Sequence, residues 1–414
     1  MAYNFDNVNR QFPRPNEVFY LLKFKKPVFN RKQRRLNSAT SIEDLKQIGK
    51  KRTPKPVFDY VEGAADFETT AKENLSAFES ARFVPEILFS VADADTGAQV
   101  LGKTISFPLI FAPTGFTRMM NHEGEIAVAR VAARNGIPYT LSTLGTTDIT
   151  TLCKAVPSGD NWFQLYFTNN MEINESLLNK AKNAGVTTLV LTTDCAVGGF
   201  RPRDVKNGLT IPPSITFKSF LNMIKHPSWW LNKISTPPIE FASVRDFPGT
   251  NMEVAKLLFD PNLNYEGLKW LRKNWQGKLL VKGILHPEDA KRVIKLGADG
   301  IVVSNHGGRQ LDRTPATLDV LPEIRKAVGK KPTVIVDGGI QHGQDIIAAI
   351  AAGADAVMIG RAYLYGLMAG GESGVARAIE IMRAEYLRGL QLVGLNSTKK
   401  ILARHVTRNG KEIR

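Results

Sequence analysis

The chain has 414 residues, 43% hydrophobic and 23% charged, with 55 Lys+Arg against 39 Asp+Glu and a net charge of +16. This length accommodates an elaborated barrel of roughly 250 to 400 residues as a single domain, and no run approaches the roughly 20 apolar residues of a membrane span. Two cysteines, Cys153 and Cys195, exclude a disulfide framework, no His/Cys/Asp cluster has metal-ligand spacing, and no recognition motif accompanies the positive charge. The charge therefore points to anionic small molecules or an anionic surface rather than to nucleic acid.

Residues 1–30 mix Asp6, Arg10, Pro13 and Glu17 among apolar side chains, so no secretory signal is expected and an intracellular location follows. Lys23, Lys25, Lys26, Arg31, Lys32, Arg34 and Arg35 form a basic cluster suited to an anionic membrane surface. Residues 1–105 read as an N-terminal extension. From about 107 onward one pattern repeats: a short apolar run ends in small or polar residues, and a helical stretch follows. The runs are 107–116, 138–144, 162–167, 187–194, 278–284, 300–307, 333–339 and 356–362. Several, such as LVLTTD, IVVSN and VIVDGG, are nearly all apolar before their polar ends, as strands buried on both faces are. Eight such units predict an α/β fold, a (β/α)8 TIM barrel over 106–362. A long insertion after strand four (200–265) and a C-terminal helical tail (363–414) complete a single domain.

The insertion holds SFLNMIKHPSWWLNKI at 219–234, where Phe220, Leu221, Met223, Ile224, Trp229, Trp230 and Leu231 stand among Lys218, Lys225 and Lys233. Paired tryptophans beside lysines suit a helix lying in a lipid interface, and the same segment also suits a lid over the active site.

Active sites of such barrels lie at the C-terminal ends of the strands. Those ends supply Thr114, Ser142, Gln164 with Tyr166, Thr192 with Asp194, Lys282, Ser304 with Asn305 and His306, Asp337, and Gly360 with Arg361. His306, flanked by glycines in SNHGGRQLD, is the candidate acid–base group, and Asp194 is the carboxylate that would orient it. Arg309 and Arg201 are suited to hold a carboxylate through paired hydrogen bonds. VDGG at 336–339 and IGR at 359–361 place glycine amides and Arg361 where loops seven and eight bind phosphate. Lys282, emerging from LLVK, needs an anionic partner to be buried.

SNHGGRQLD, with FDYVEGAAD, FAPTGF, WFQLY, LTTD, LVKG, VDGG and IGRA, resembles the FMN-dependent 2-hydroxy-acid dehydrogenase and oxidase family from about Pro54 to the tail. RRLNSATSIEDLKQIGKKRTP, APTGFTR, HPSWW and IGRAYLYGLMAGGE are most similar to its bacterial quinone-linked L-lactate dehydrogenases. The resemblance implies oxidation of L-lactate to pyruvate with electrons passed to a quinone. The alternatives are a mandelate-like dehydrogenase or an oxygen-using 2-hydroxy-acid oxidase. It implies His306 as base with Asp194 its partner, Tyr60 and Tyr166 hydrogen-bonding substrate, and Arg201 and Arg309 clamping the carboxylate. FMN would lie along Pro113, Thr114 and Gly115, surrounded by Ser142, Gln164, Thr192, Lys282 and Ser304. Its phosphate would fall to Asp337, Gly338, Gly339, Ile340 and Gln341 and to Gly360 and Arg361, while Lys282 would meet the negative charge of the reduced ring. Three positions depart from common family patterns. Leu144 replaces the Trp of glycolate oxidases, Gln341 replaces a frequent Arg, and Gly115 replaces the Ala usual in oxidases. A tetramer, peripheral on the inner face of the cell membrane, is the implied assembly and location.

Overall fold

The computed structural model describes Arg14 and residues 28–208, 224–245 and 260–413. The eight apolar runs become eight parallel strands: β1 (Leu109–Phe111), β2 (Tyr139–Ser142), β3 (Asn161–Leu165), β4 (Thr188–Thr192), β5 (Lys278–Ile284), β6 (Gly300–Val303), β7 (Thr333–Val336) and β8 (Ala356–Ile359). They pair in sequence order and close β8 onto β1, which makes the expected barrel. Strand alternation then sorts the side chains. Ile110, Trp162, Val190, Leu280, Val302, Ile335 and Met358 fill the barrel interior. Their neighbours, such as Phe111, Leu189, Val281, Ile301 and Val336, pack outward against the helices. One strand departs from regularity. The β5–β6 register shifts between Lys282 and Ile284, and Gly283 there has φ +109°. A Cβ at Gly283 would stand 2.7 Å from Asp194 Cβ, so this position leaves room for nothing larger.

Two helices of the extension, α1 (Lys55–Glu62) and α2 (Thr69–Glu79), lie across the C-terminal end of the barrel. The start of α2 is capped from afar, because Asp312 accepts the amides of Phe67 and Thr70 at 3.1 and 2.9 Å. At the opposite end the hairpin Ala98–Val100/Lys103–Ile105 adds Ala98, Val100 and Ile105 to the interior cluster and seals it.

Of the insertion, residues 219–223 and Lys218 lie outside the described residues, as do Lys23, Lys25 and Lys26 of the basic cluster. Helix α3 (Pro227–Ile234) starts on Pro227, whose ring suits a first helical turn. Trp229 turns inward rather than outward: its indole Nε1 donates to the Met119 carbonyl at 2.9 Å, and its ring stacks on Trp230. Ile224, Leu231 and Ile234 are the exposed apolar side chains of this stretch. No helix among the described residues is long and apolar enough to cross a membrane.

The tail begins as expected, with α5 (Arg361–Gly370) after β8 and the long α6 (Glu372–Leu392), while α4 (Gly343–Ala351) follows β7. It does not end as a helix. Val406–Arg408 pairs antiparallel with Arg82–Phe83 and with Lys411–Glu412, tying the tail to the extension.

Candidate active site

On four strands an apolar interior residue is followed two positions later by a polar one at the C-terminal end: Trp162 precedes Gln164, Val190 precedes Thr192, Leu280 precedes Lys282, and Ile335 precedes Asp337. These groups open into a cavity of about 480 Å3 at the C-terminal end of the barrel. All the predicted site residues line it except Asp194 and Ser304. Those two stand directly behind lining residues, Asp194 on His306 and Ser304 on Lys282.

His306 Nδ1 lies 2.9 Å from Asp194 Oδ1. Burial works to raise the Asp194 carboxyl, but His306 and Lys282, with hydrogen bonds from His306 and Cys195, overcome it and hold Asp194 well below the usual carboxylate range. Because Asp194 is a carboxylate, the imidazole proton of that bond sits on Nδ1, and Nε2 is the nitrogen free to act as base. The imidazole is presented from a left-handed backbone (φ 56°). Its amide donates to Ser304 Oγ at 3.0 Å, and the Arg361 guanidinium donates to the Gly307 carbonyl at 2.9 Å. Asp194, Cys195 and His306 thus bring three ligand-type atoms within 4.8 Å, a grouping that sequence spacing hides. The Lys282 ammonium, 4.0 Å from Asp194, places a positive charge beside this grouping and opposes a bound cation there.

Lys282 has protein carboxylates for partners. Its Nζ donates to Ser304 Oγ at 2.8 Å and pairs with Asp337 at 3.2 Å. Burial opposes its charge, but Asp337 and Asp194 raise its pKa above the ordinary value, so it stays an ammonium. Asp337 is engaged within the protein through all but its buried Oδ1, which has no partner. Oδ2 faces Lys282, the amide bonds to Val303, and the carbonyl accepts from Thr317 Oγ1 at 2.6 Å.

Arg309 and Arg201 share the mouth. Arg309 lies over the Tyr60 ring and donates to the carbonyls of Tyr60 and Gly63 at 2.7 and 2.8 Å. Burial, then the charge of Arg201, lowers it to about 10, against the opposing pull of Tyr60 and Asp204. Arg201 Nε donates to Asp204 at 2.7 Å. The Tyr166 phenol is pushed well above its usual value by burial and by nearby Cys195 and Asp194, and remains neutral. Burial likewise pushes the Cys195 thiol up, so it is an inert S–H group.

Two helices flank the glycine loops, and only one has an open end. The amides of Gln341 and His342 are taken by Asp345, and that of Gly343 by Glu385, each at 2.8 Å, which closes the start of α4. Helix α5, whose cap residue is Gly360, has no side-chain cap, so its first amides form the better phosphate seat. Gln164 spends Oε1 on Ser142 Oγ and the Thr143 amide, which leaves buried Nε2 without a partner, and buried Thr192 Oγ1 has none either. Unspent buried donors beside an uncapped helix start and a buried lysine fit a flavin mononucleotide, with its ring carbonyls at one end and phosphate at the other. Sequence reasoning missed Asn74 of α2, whose side chain bonds that of Asn305; no local pattern marks it.

Residues 49–408 match the family model described as FMN-dependent dehydrogenase. A Mycobacterium tuberculosis protein provisionally named L-lactate dehydrogenase is 46% identical over 400 residues, 97% of each chain. The (S)-mandelate dehydrogenase of Pseudomonas putida is 42% identical over 358 residues, 86% of this chain and 90% of that one. A solved structure titled monotopic membrane protein (S)-mandelate dehydrogenase superposes with a TM-score of 0.86 at 40% identity, covering 90% of this chain and 100% of that chain.

Proposed function

On the premise that the chain belongs to the FMN-dependent dehydrogenase family and oxidises a 2-hydroxy acid, we propose that its substrate is L-lactate, its product pyruvate and its electron acceptor a membrane quinone. The observation that carries this reading is convergence. A histidine–carboxylate pair, two arginines and the donors suited to a flavin all meet at one cavity. Lactate becomes pyruvate by losing two electrons and two protons, and FMN, when bound, would supply the sink for both electrons and for the proton that His306 does not take. His306 Nε2 takes a proton from the substrate, and Asp194 stabilises the imidazolium that results. Arg201 and Arg309 grip the carboxylate, and Tyr60 and Tyr166 hydrogen-bond the substrate. Such orientation contributes up to roughly 7–11 kcal/mol in well-organised systems. Pro113, Thr114, Gly115, Ser142, Gln164, Thr192 and Lys282 would surround the flavin ring, with Ser304 holding Lys282 from behind. Gly338 to Gln341, Gly360 and Arg361 would take the phosphate.

Gly115, in place of the Ala usual in oxidases, favours an acceptor other than oxygen. The lactate name of the 46% identical relative supports the substrate. A mandelate-like acid is the second reading, supported by the two mandelate dehydrogenase relatives and by the space left at Leu144. Anaerobic spectra with L-lactate, D-lactate, glycolate and L-mandelate added in turn decide between them: bleaching by L-lactate at the lowest concentration supports the first reading, preference for L-mandelate the second. Rapid oxygen consumption would displace the quinone.

A tetramer lying peripherally on the inner face of the cell membrane completes the proposal. Exposed Ile224, Leu231 and Ile234 supply an apolar contact, and exposed Arg31 and Arg34 an attraction of about 1 kcal/mol for each charge near an anionic surface, while Lys32 pairs with Glu123 and Arg35 donates to the Ala369 carbonyl. Leu231→Ser with Ile234→Ser should weaken binding to anionic liposomes while flavin reduction persists. Trp229 is the wrong residue for that test, because it packs on Met119. Unchanged liposome binding in the double variant would remove the membrane role from this helix.

A further inference from the structure

Helix α2 precedes the barrel in the chain, yet one of its side chains reaches two loops of the rim. The buried Asn74 carboxamide donates from Nδ2 to Asn305 Oδ1 at 2.8 Å. Its Oδ1 accepts from Asn305 Nδ2 at 2.9 Å and from the Thr317 amide at 3.2 Å. From there the bonds run in a ring. Asn305 is followed by His306, whose amide donates to Ser304 Oγ at 3.0 Å. Lys282 donates to the same oxygen at 2.8 Å and pairs with Asp337 at 3.2 Å. The Asp337 carbonyl accepts from Thr317 Oγ1 at 2.6 Å, and the Thr317 amide leads back to Asn74.

The glycine loop rests on the same residue. A Cβ at Gly339 would stand 2.3 Å from the Asn74 carbonyl oxygen, and one at Gly338 would stand 3.1 Å from Asn74 Nδ2. Both glycines have positive φ, +90° and +87°. On the other side Asn305 Oδ1 also accepts the Gly308 amide at 3.2 Å, which bends the loop that presents His306.

We propose that Asn74 is a positioning residue: it locks the loop that carries His306 to the glycine loop 337–341, so that base and cofactor are held in one register. The inference rests on the reading of His306 as base and of the glycine loop as part of the flavin phosphate site. Only a carboxamide of this length suits the position. Aspartate offers no donor to Asn305 Oδ1, alanine takes one partner from each end of the Asn305 amide and the acceptor from the Thr317 amide, and glutamine adds a methylene beneath two glycines that have no room above it.

The test is a comparison of Asn74→Asp and Asn74→Ala with Phe78→Leu, a core change in the same helix that lies off the ring. Three quantities are read: the saturating rate of anaerobic flavin reduction, the apparent Kd for L-lactate, and the Kd for FMN. The Asn74 variants should lose roughly 10–100-fold in saturating rate, since small misplacement of a base is costly. They should also bind FMN about tenfold more weakly, as expected when a buried network loses a member. The Kd for lactate should change by less than about threefold, because the arginines keep their own partners. Phe78→Leu should lower thermal stability and leave rate and FMN affinity near normal. Asn305→Ala alone should cost more than Asn74→Ala, because it also frees the Gly308 amide, and the double variant should lose clearly less than the product of the two single losses, because both cut the Asn74–Asn305 link. The proposal is overturned if Asn74→Asp behaves as Phe78→Leu does, or if the effects of Asn74→Ala and Asn305→Ala simply multiply. Should the alanine variant fail to fold, the aspartate variant alone decides. If His306→Gln keeps the full reduction rate, the base assignment fails instead, and the FMN affinity of Asn74→Asp still tests the lock.

Discussion

The two ends of the barrel are built from the same strands and ask different things of them. At the floor, Trp162, Val190, Leu280 and Ile335 meet an apolar hairpin, and only volume and burial matter. Two residues further along the same strands stand Gln164, Thr192, Lys282 and Asp337, all buried and all in need of partners. Of these four floor residues only Trp162 carries a polar side-chain atom, and its buried indole Nε1 is left without a partner. The rim satisfies itself in part, through Lys282–Asp337 and His306–Asp194, and leaves Gln164 Nε2 and Thr192 Oγ1 without partners. The two ends differ in the chemistry they hold, apolar bulk at one and paired charges with carboxamide and hydroxyl groups at the other.

Substitution at each end should break the comparison in a different way. The largest effect belongs to His306→Gln, which keeps the cavity but removes the base. Turnover should fall by ~10²–10⁴-fold or more with FMN retained, read by steady-state kinetics and the flavin spectrum. Near-normal kcat/KM would show that the rim has been misread.

Arg309→Lys should come next. A point charge cannot reproduce the planar fork or the stack on Tyr60, so lactate binding should weaken roughly tenfold to hundredfold. Reductive titration measures this directly, and an unchanged Kd would place the carboxylate elsewhere.

The floor should respond in stability alone. Val100→Asn puts an unpartnered carboxamide against the interior cluster and should cost about 1–3 kcal/mol, read as a lower denaturation midpoint. The rate of flavin reduction in the folded fraction should hold, and a selective loss of that rate would mean the two ends are coupled.

The smallest effect lies where the insertion meets the rim. Lys233 of α3 is partly buried with Nζ unpartnered, and burial, then Arg118, lowers it to about 8 from an ordinary 10.5. Below pH 8 the folded state carries that charge at a cost. Between about 8 and 10.5 the unfolded state binds a proton that the folded state does not, so this group makes stability rise with pH across that window. Lys233→Met should therefore raise Tm slightly at pH 7, with the advantage shrinking towards pH 10. A constant difference at both pH values would contradict the burial of the charge.

Periodicity alone made much of the molecule legible. Runs such as LVLTTD and VIVDGG can be buried on both faces only as central parallel strands, and eight of them close a barrel whose active end is known in advance. Alternation by two then placed Gln164, Thr192, Lys282 and Asp337 at one rim, because neighbouring positions on a strand cannot share a face. What spacing leaves open is which groups satisfy one another, since that depends on contacts between residues far apart in the chain. Lys282 was legible as a lysine in need of an anion, and the fold chose Asp337 for it. The glycines of 336–339 pointed to phosphate, but only the packing of α4 showed that Asp345 and Glu385 close that helix while α5 stays open. The paired tryptophans suited either a lipid contact or a lid, and the tertiary structure turned Trp229 inward, with its indole N–H donating to the Met119 carbonyl. Asn74 was invisible for the same reason. Its partner is 231 residues away, and nothing local in a chain records a bond that only folding brings into reach.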